Sequence, residues 1–535
     1  MNVATGAGPG SELRPELLDP LSPVDAAVSG SGVAAMRIVR GSAWYLGGQV
    51  ATLLVAFVAT PFVIRLLGPE KYGALALINL LVGCLAWSDL GMAAASTRFA
   101  AAAHARDDAE GEVAAIWGSL LLGPLSATLA ASALMLWARP LLVVALHVPV
   151  RLQDEAVLAL RLVAIALVAR VVVGVLNTPQ LVRLRMRLHT AVTTASSVAQ
   201  ILLTPAVLLL GGGLAGVAAG LAGVAIATAF GQGLVAQRLL PQLAHPHLEP
   251  GLLGRLARFG GTIAATNLAV LFLTSGEKFF LTRFVSVTAL AHYTVAFTLA
   301  NLLIVPVMSL LQALLPTFAR LQAAGRSEEL ERLYAELLRG VLLLLPAVAL
   351  AFCLAAKPFF TLWAGPAFGA ESTPLFFILM VGLLASAVSQ VPGCLLVALG
   401  RADFSARYHF LELLPYLVLA AALTARWGTA GAASVWSLRA LVALPVYLRA
   451  ARRRLGVRRP QLAALGASYA GALAVLWLPP LVAIGMGSSW PLLLVAGATS
   501  AAAYLWLVLA WLLQGTEKAW VRAKLLAATR RRPAR

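Results

Sequence analysis

The sequence predicts an all-α membrane protein of about 14 transmembrane helices, built as two parallel-repeat six-helix lobes plus a C-terminal helix pair. Three observations point there. Hydrophobic residues make up 60% of the chain and charged residues 12%. Soluble domains carry roughly 25% charged residues, so most of this surface does not face water. Apolar runs of spanning length recur along nearly the whole chain, and the chain resembles itself at an offset near 218 residues.

A helix needs about 20 apolar residues to cross the hydrocarbon core. On that measure the spans fall at about 42–66, 73–97, 113–136, 157–180, 190–210, 214–237, 259–285, 289–316, 337–356, 373–400, 406–425, 429–449, 462–485 and 490–513. The domains that follow are a disordered cytoplasmic tail over 1–37, an N-lobe over 38–240 and a C-lobe over 250–455. A helix pair over 460–514 and a basic cytoplasmic tail over 515–535 complete the chain. The first segment is rich in Gly, Pro, Ser and Ala and has no apolar run, unlike a signal peptide. Met1 and Met36 are both candidate starts.

Charge gives the orientation. With the N-terminus in the cytoplasm and strict alternation, 30 of the 41 Lys and Arg residues fall on the cytoplasmic side and nine on the other. The remaining two, Arg170 and Arg439, sit near the middle of their spans. The positive-inside rule therefore accounts for the net charge of +19. Nucleic-acid binding does not, because the basic residues lie in short segments between apolar spans and form no single basic face. Cys84, Cys353 and Cys394 lie in apolar stretches with no disulfide or metal spacing.

The repeat is local as well as global. Arg65 closes span one and Arg283 closes span seven, 218 residues apart. Arg139-Pro140 and Lys357-Pro358 share that offset, as do Arg183 and Arg401. Each Pro opens a short amphipathic stretch, expected to lie in the interface plane. An offset of six spans preserves orientation, so the halves relate by an axis along the membrane normal. Transporters with two such lobes hold substrate between them and expose it by rocking.

Three segments carry a family resemblance. Leu67-Gly68-Pro69-Glu70-Lys71-Tyr72-Gly73 precedes Trp87-Ser88-Asp89-Leu90-Gly91-Met92 and Arg98. Glu277-Lys278-Phe279-Phe280-Leu281-Thr282-Arg283-Phe284 precedes Tyr293, and Leu314-Leu315-Pro316 closes span eight. Together they resemble the polysaccharide and O-antigen flippases of the multidrug/oligosaccharidyl-lipid/polysaccharide exporter superfamily, over roughly residues 38–460. Glu277 stands where that family usually has Asp, and Thr282 where it has Gly. The resemblance implies a substrate class: a polyprenyl-pyrophosphate-linked oligosaccharide turned from the cytoplasmic to the periplasmic leaflet of the bacterial inner membrane. It implies membrane lipids as surroundings, and a glycan polymerase and chain-length proteins as partners.

An ionised group near a helix centre costs at least about 2.5–3.5 kcal/mol, so each one is a candidate. Arg170 in span four and Arg439 in span twelve carry two readings. Either they line a cationic cavity between the lobes, donating bidentately to a pyrophosphate, or they form buried ion pairs. Lys278 either lines the cavity or pairs with Glu277, although neighbouring residues point about 100° apart on a helix. Asn267 and Asn301 could hold sugar hydroxyls, as could Asn177, Gln200 and Gln390; interhelical hydrogen bonds are the alternative. Asp89 and Glu277 are candidates for H+ or Na+ coupling, against structural roles. Arg65 and Arg283 read as interfacial anchors, and Glu412 as a solvated group near the cytoplasm.

No cofactor, metal site or catalytic constellation is expected. Gly211-Gly212-Gly213 lacks the Lys and Ser/Thr of a phosphate loop. Rival readings are an ion-coupled drug or solute exporter and a lipid-linked peptidoglycan precursor flippase, both on the same fold. A membrane glycan polymerase or ligase is a third, disfavoured because the longest outside gap is only about 20 residues and offers no paired carboxylates or nucleophile. Pumping would need an ion gradient or a partner; downhill flipping, pulled by polymerisation on the far side, is the alternative.

Overall fold

The computed structural model describes residues 23–183, 185–455 and 490–507, and it is all helical there, without strands. The expected thirteenth span, the tail over 515–535 and residues 1–22 lie outside the described residues. Ten helical segments among them are long and apolar enough to cross a membrane. The protein is therefore a multi-pass α-helical membrane protein.

The helices run in order: α1 (Pro23–Cys84), α2 (Met92–His104), α3 (Ala109–Pro140), α4 (Val150–Leu176), α5 (Thr178–Val182), α6 (Met186–Leu209) and α7 (Gly213–Leu239). Then follow α8 (Pro250–Phe284), α9 (Val287–Ala300), α10 (Val305–Ala323), α11 (Ser327–Ala364), α12 (Pro366–Ala398), α13 (Ala402–Leu455) and α14 (Trp490–Leu507). Two of them are double rods. Helical geometry fails at Gly68 in α1 (φ 72°, ψ 168°) and at Gly428 in α13 (φ 57°, ψ −133°). Only Gly takes such dihedrals without strain, and Pro69 then restarts the helix at a position where a missing N–H costs nothing. Those two breaks fall between the expected spans one and two and between eleven and twelve.

Three expectations need correction. Residues 23–37, expected as a disordered tail, belong to α1; adding residues to an existing helix avoids the nucleation cost. Span two is not one helix, because a 3-10 turn over Leu85–Asp89 and left-handed backbone at Leu90 and Gly91 separate α1 from α2. The stretches after Pro140 and Pro358 are not separate segments. The first continues α3 as a π-helical turn over Leu141–Ala145, which absorbs the backbone bond that Pro removes. The second runs inside α11.

Packing follows the small-residue logic of membrane interfaces. The Ala- and Gly-rich α7 buries Ala218, Ala222 and Ala225 and packs mainly on α4, whose Ala156, Ala159 and Ala164 are buried. Within the first half α1 packs on α6 and α3 on α4; within the second, α12 packs on α11 and α13, and α13 on α8. Large apolar side chains such as Leu136, Trp137, Phe230, Leu411 and Leu414 are exposed, as suits contact with lipid.

One buried ion pair ties the first half together. Arg183 Nη1 and Nη2 donate to Glu112 Oε1 and Oε2 at 2.5 and 3.1 Å, and His104 Nδ1 lies 3.3 Å from Oε2. Glu112 is 2% exposed. Removing one partner strands the other, at about 3–5 kcal/mol. Glu112→Ala should lower the thermal melting point of the purified protein sharply; a melting point within a degree or two of wild type would contradict this.

The halves meet at two levels. At one level Gly91 and Gly260 touch backbone to backbone, and a Cβ on Gly260 would overlap the Leu90 carbonyl oxygen. Arg98 lies over the Phe259 ring at 4.3 Å there. At the other level a Cβ on Gly73 would overlap the Val287 carbonyl oxygen. Gly73 lies near the start of the second rod of α1, and Gly91 lies 18 residues on, just before α2. At the Gly73 level two crossed contacts appear. Arg65 Nη2 donates to the Leu362 carbonyl at 2.6 Å, and Arg283 Nη1 reaches the His147 ring, 2.8 Å from Nε2. Each arginine ends the first span of its half and reaches the end of the third span of the other.

Candidate functional site

A cavity of about 780 Å³ opens inside the second half. Its polar wall follows from helix periodicity. Ser386, Ser389, Gln390 and Gly393 line it from α12, spaced so that one face points inward. Ser405, Tyr408, His409 and Glu412 repeat that spacing in the first rod of α13. Trp436, Arg439 and Tyr447 line it from the second rod, which the Gly428 break folds back alongside the first. Thr274 and Ser275 of α8 and Asn301, in a 3-10 turn between α9 and α10, close the ring with Phe297.

Arg439 is the centre of this wall. Its guanidinium lies 5.6 Å from the Tyr416 ring centroid and 5.5 Å from that of Trp436, within cation–π range. Nη1 donates to Glu412 Oε1 at 3.3 Å, and His409 Nδ1 lies 3.0 Å from the same oxygen. Arg439 Nε and Glu412 Oε2 are buried without a hydrogen-bond partner among the described residues. Of the two readings for Arg439, the ion pair holds, and it sits on a cavity wall. Glu412, expected to be solvated, is that partner.

Glu277 forms a second buried cluster behind the wall. It is 0% exposed. Tyr293 donates to Oε1 at 3.0 Å and Tyr416 to Oε2 at 2.5 Å. Lys278 points elsewhere: its Nζ donates to Ser275 Oγ at 3.3 Å and lies 4.7 Å from the Phe297 centroid. Neighbours on a helix diverge, as expected. Tyr416 thus serves both clusters, and Tyr416→Phe leaves one carboxylate oxygen unpaired. That costs about 1–3 kcal/mol and should appear as a lower melting point; an unchanged one would contradict the hydrogen bond.

The remaining sequence candidates do not gather here. Arg170, on α4, is not among the residues lining this cavity. Its Nη2 donates to Gln200 Oε1 at 3.0 Å, Gln200 Nε2 donates to Ser196 Oγ at 3.2 Å, and Ser196 and Thr228 share a 2.8 Å bond. Arg170 and Arg439 thus engage different partners, Gln200 in the first half and Glu412 in the second, and only Arg439 lines this cavity. The physical reason lies in their helices: Arg439 turns toward Glu412 on its own α13, while Arg170 turns toward α6. Asn301 lines the cavity, whereas Asn267 is exposed on α8 and does not. Asp89 accepts from Gly91 N at 2.8 Å, stabilising the break in span two. Sequence reasoning missed Tyr293, Tyr408, His409, Tyr416, Trp436 and Tyr447. The one-face spacing of Ser405, Tyr408, His409 and Glu412 in an apolar span was the signal that could have found two of them, Tyr408 and His409.

A family model described as "Polysaccharide biosynthesis protein" matches residues 38–322. A putative O-antigen transporter of Shigella flexneri is 26% identical over 190 residues, which is 35% of this chain. The chain spans 44% of that relative's length. Among solved structures, the inward-facing conformation of a multidrug resistance MATE family transporter of the MOP superfamily superposes with a TM-score of 0.64. It shares 17% identity, over 75% of this chain and 94% of that one. An outward-facing conformation of such a transporter gives 0.58 at 18% identity, over 78% and 95%. At these identities the likeness shows the fold.

Proposed function

The chain belongs to the polysaccharide biosynthesis protein family, and from that premise we propose that it is a flippase for a polyprenyl-pyrophosphate-linked oligosaccharide. It carries this lipid from the cytoplasmic to the periplasmic leaflet of the inner membrane, with both termini in the cytoplasm. The observation that carries the reading is the cavity of about 780 Å³ with a guanidinium on its wall. Arg439 offers donors to phosphate oxygens. Trp436, Tyr408 and Phe297 offer aromatic faces to sugar rings, and Asn301, Ser389 and Gln390 offer hydroxyl partners. A lipophilic drug would need few of these polar groups.

The lobes over 38–240 and 250–455, related to each other by an axis along the membrane normal, rock against each other to expose the substrate to each side in turn. The crossed contacts of Arg65 and Arg283 support that symmetry, because a two-fold axis makes each contact occur twice. The two glycine contacts are then the two gates. Asp89 and Glu277 were the candidates for ion coupling; Glu277, buried and hydrogen-bonded inside the second half, is the one placed beside the cavity wall. The product passes to a glycan polymerase and its chain-length proteins.

The test is glycan export in cells. Arg439→Gln should abolish surface polysaccharide while the protein remains inserted at its normal level, and adding Arg170→Gln should change nothing further. Unimpaired surface glycan in Arg439→Gln would remove Arg439 as a headgroup ligand.

A further inference from the structure

The Arg439–Glu412 pair is arranged unlike a structural ion pair. An Arg–carboxylate pair that serves stability is commonly bidentate and fully satisfied. Here one 3.3 Å bond joins them, and one nitrogen and one oxygen of the pair are buried with no partner among the described residues. Both residues line the cavity. The same carboxylate oxygen has a second suitor, His409 Nδ1 at 3.0 Å, one turn earlier on the same helix.

We propose that Glu412 is a resident stand-in for the substrate's anionic headgroup. It neutralises Arg439 while the cavity is empty and is handed to His409 when a phosphate takes the guanidinium. This rests on the flippase reading above and adds a specificity device to it. A neutral ligand cannot displace a carboxylate from an arginine, and a monoanion gains little by replacing one carboxylate with another. A diphosphate brings more charge and three or more oxygens, enough to occupy Nη1 and the unpartnered Nε together. The reverse hand-over ejects the headgroup at the far leaflet, because the displaced Glu412 stays within reach. Glu412 therefore sets a threshold that only a strongly anionic headgroup passes, and it prevents the loaded state from becoming a trap.

The experiment measures binding of farnesyl diphosphate to the full chain in lipid nanodiscs, with farnesol as the neutral control. Wild type should bind the diphosphate and not farnesol. Glu412→Gln, which keeps the shape and removes the competing charge, should bind the diphosphate at least tenfold more tightly. Glu412→Asp, whose shorter side chain retreats from Arg439, should fall between the two and keeps the test available if the Gln variant does not fold. Arg439→Gln should lose at least tenfold. If Arg439→Gln weakens binding while both Glu412 variants bind as wild type or more weakly, the stand-in role is overturned and the headgroup site survives. If Arg439→Gln binds like wild type, the headgroup reading itself fails and takes the stand-in role with it.

Discussion

Gly260→Ala should reduce glycolipid transport at least tenfold without unfolding the protein. In a helix interior the change from Gly to Ala is locally favourable by up to about 1 kcal/mol, so α8 itself should tolerate it. The new methyl group, however, would overlap the Leu90 carbonyl oxygen and the end of Met92. Leu90 and Gly91 adopt left-handed backbone dihedrals, and the Gly91 N–H donates to Asp89 at 2.8 Å, which resists a shift of this segment. Overpacking of this kind costs about 1–3 kcal/mol. Under the rocking proposal that cost falls on every conformation in which this end is shut, including the one described here, where both glycine contacts are made. A shift of 1–3 kcal/mol changes a two-state equilibrium roughly 5- to 150-fold. Native Cys394 lines the cavity, so a membrane-impermeant thiol reagent can report access in a Cys84→Ser, Cys353→Ser background. Labelling from the Gly260 side should rise; unchanged labelling and transport would contradict the gate.

Gly73→Ala should give the mirror result at the other level. Its Cβ would overlap the Val287 carbonyl oxygen, at the turn where α8 ends and α9 begins. The cost is of the same size, about 1–3 kcal/mol, but it disfavours closure of the opposite gate. Transport should again fall at least tenfold, while Cys394 becomes accessible from the Gly73 side. The two substitutions combined should leave the cavity open to both faces, so that Cys394 is labelled from either side. Additivity is expected because the two sites share no contacting residue. If both single variants exposed Cys394 to the same side, the gates would not be alternatives.

These glycines show what an unaligned sequence withholds. Gly73 reads as part of a loose turn motif, and Gly260 as one glycine of a Gly-Gly pair in an apolar span; nothing local says that backbone from the other half lies against them. The spans themselves were legible, because apolar length is a one-dimensional property fixed by bilayer thickness. So were the breaks after Leu67 and Trp427, since Gly68 precedes a Pro and Gly428 follows an Arg-Trp end. The interruption of span two was not: Asp89 sits in a hydropathy profile that is continuous, and the 3-10 turn over Leu85–Asp89 with the left-handed dihedrals of Leu90 and Gly91 breaks it.

The site was legible in kind and not in grouping. Arg439 announces itself by its burial cost, and Asn301 by its place in a span. That Glu412 would be its partner depends on the angle at which Gly428 folds α13 back on itself, which no periodicity encodes. Arg170 announces itself equally well and yet belongs to another wall, with Gln200. The tyrosines around Glu277 read as ordinary aromatic residues of apolar spans, and become visible only when three helices bring them to one carboxylate.

Reconstituted vesicles test the central claim most directly. A short isoprenyl-diphosphate-linked oligosaccharide bearing a fluorophore on its sugar is placed in one leaflet, and a membrane-impermeant quencher reads its arrival in the other. Wild-type chain, supplied with a proton or sodium gradient of either sign, should equilibrate the lipid, and Arg439→Gln should not. A fluorophore that stays in its leaflet with the wild-type chain under every gradient, or that crosses equally fast with Arg439→Gln, would contradict the account.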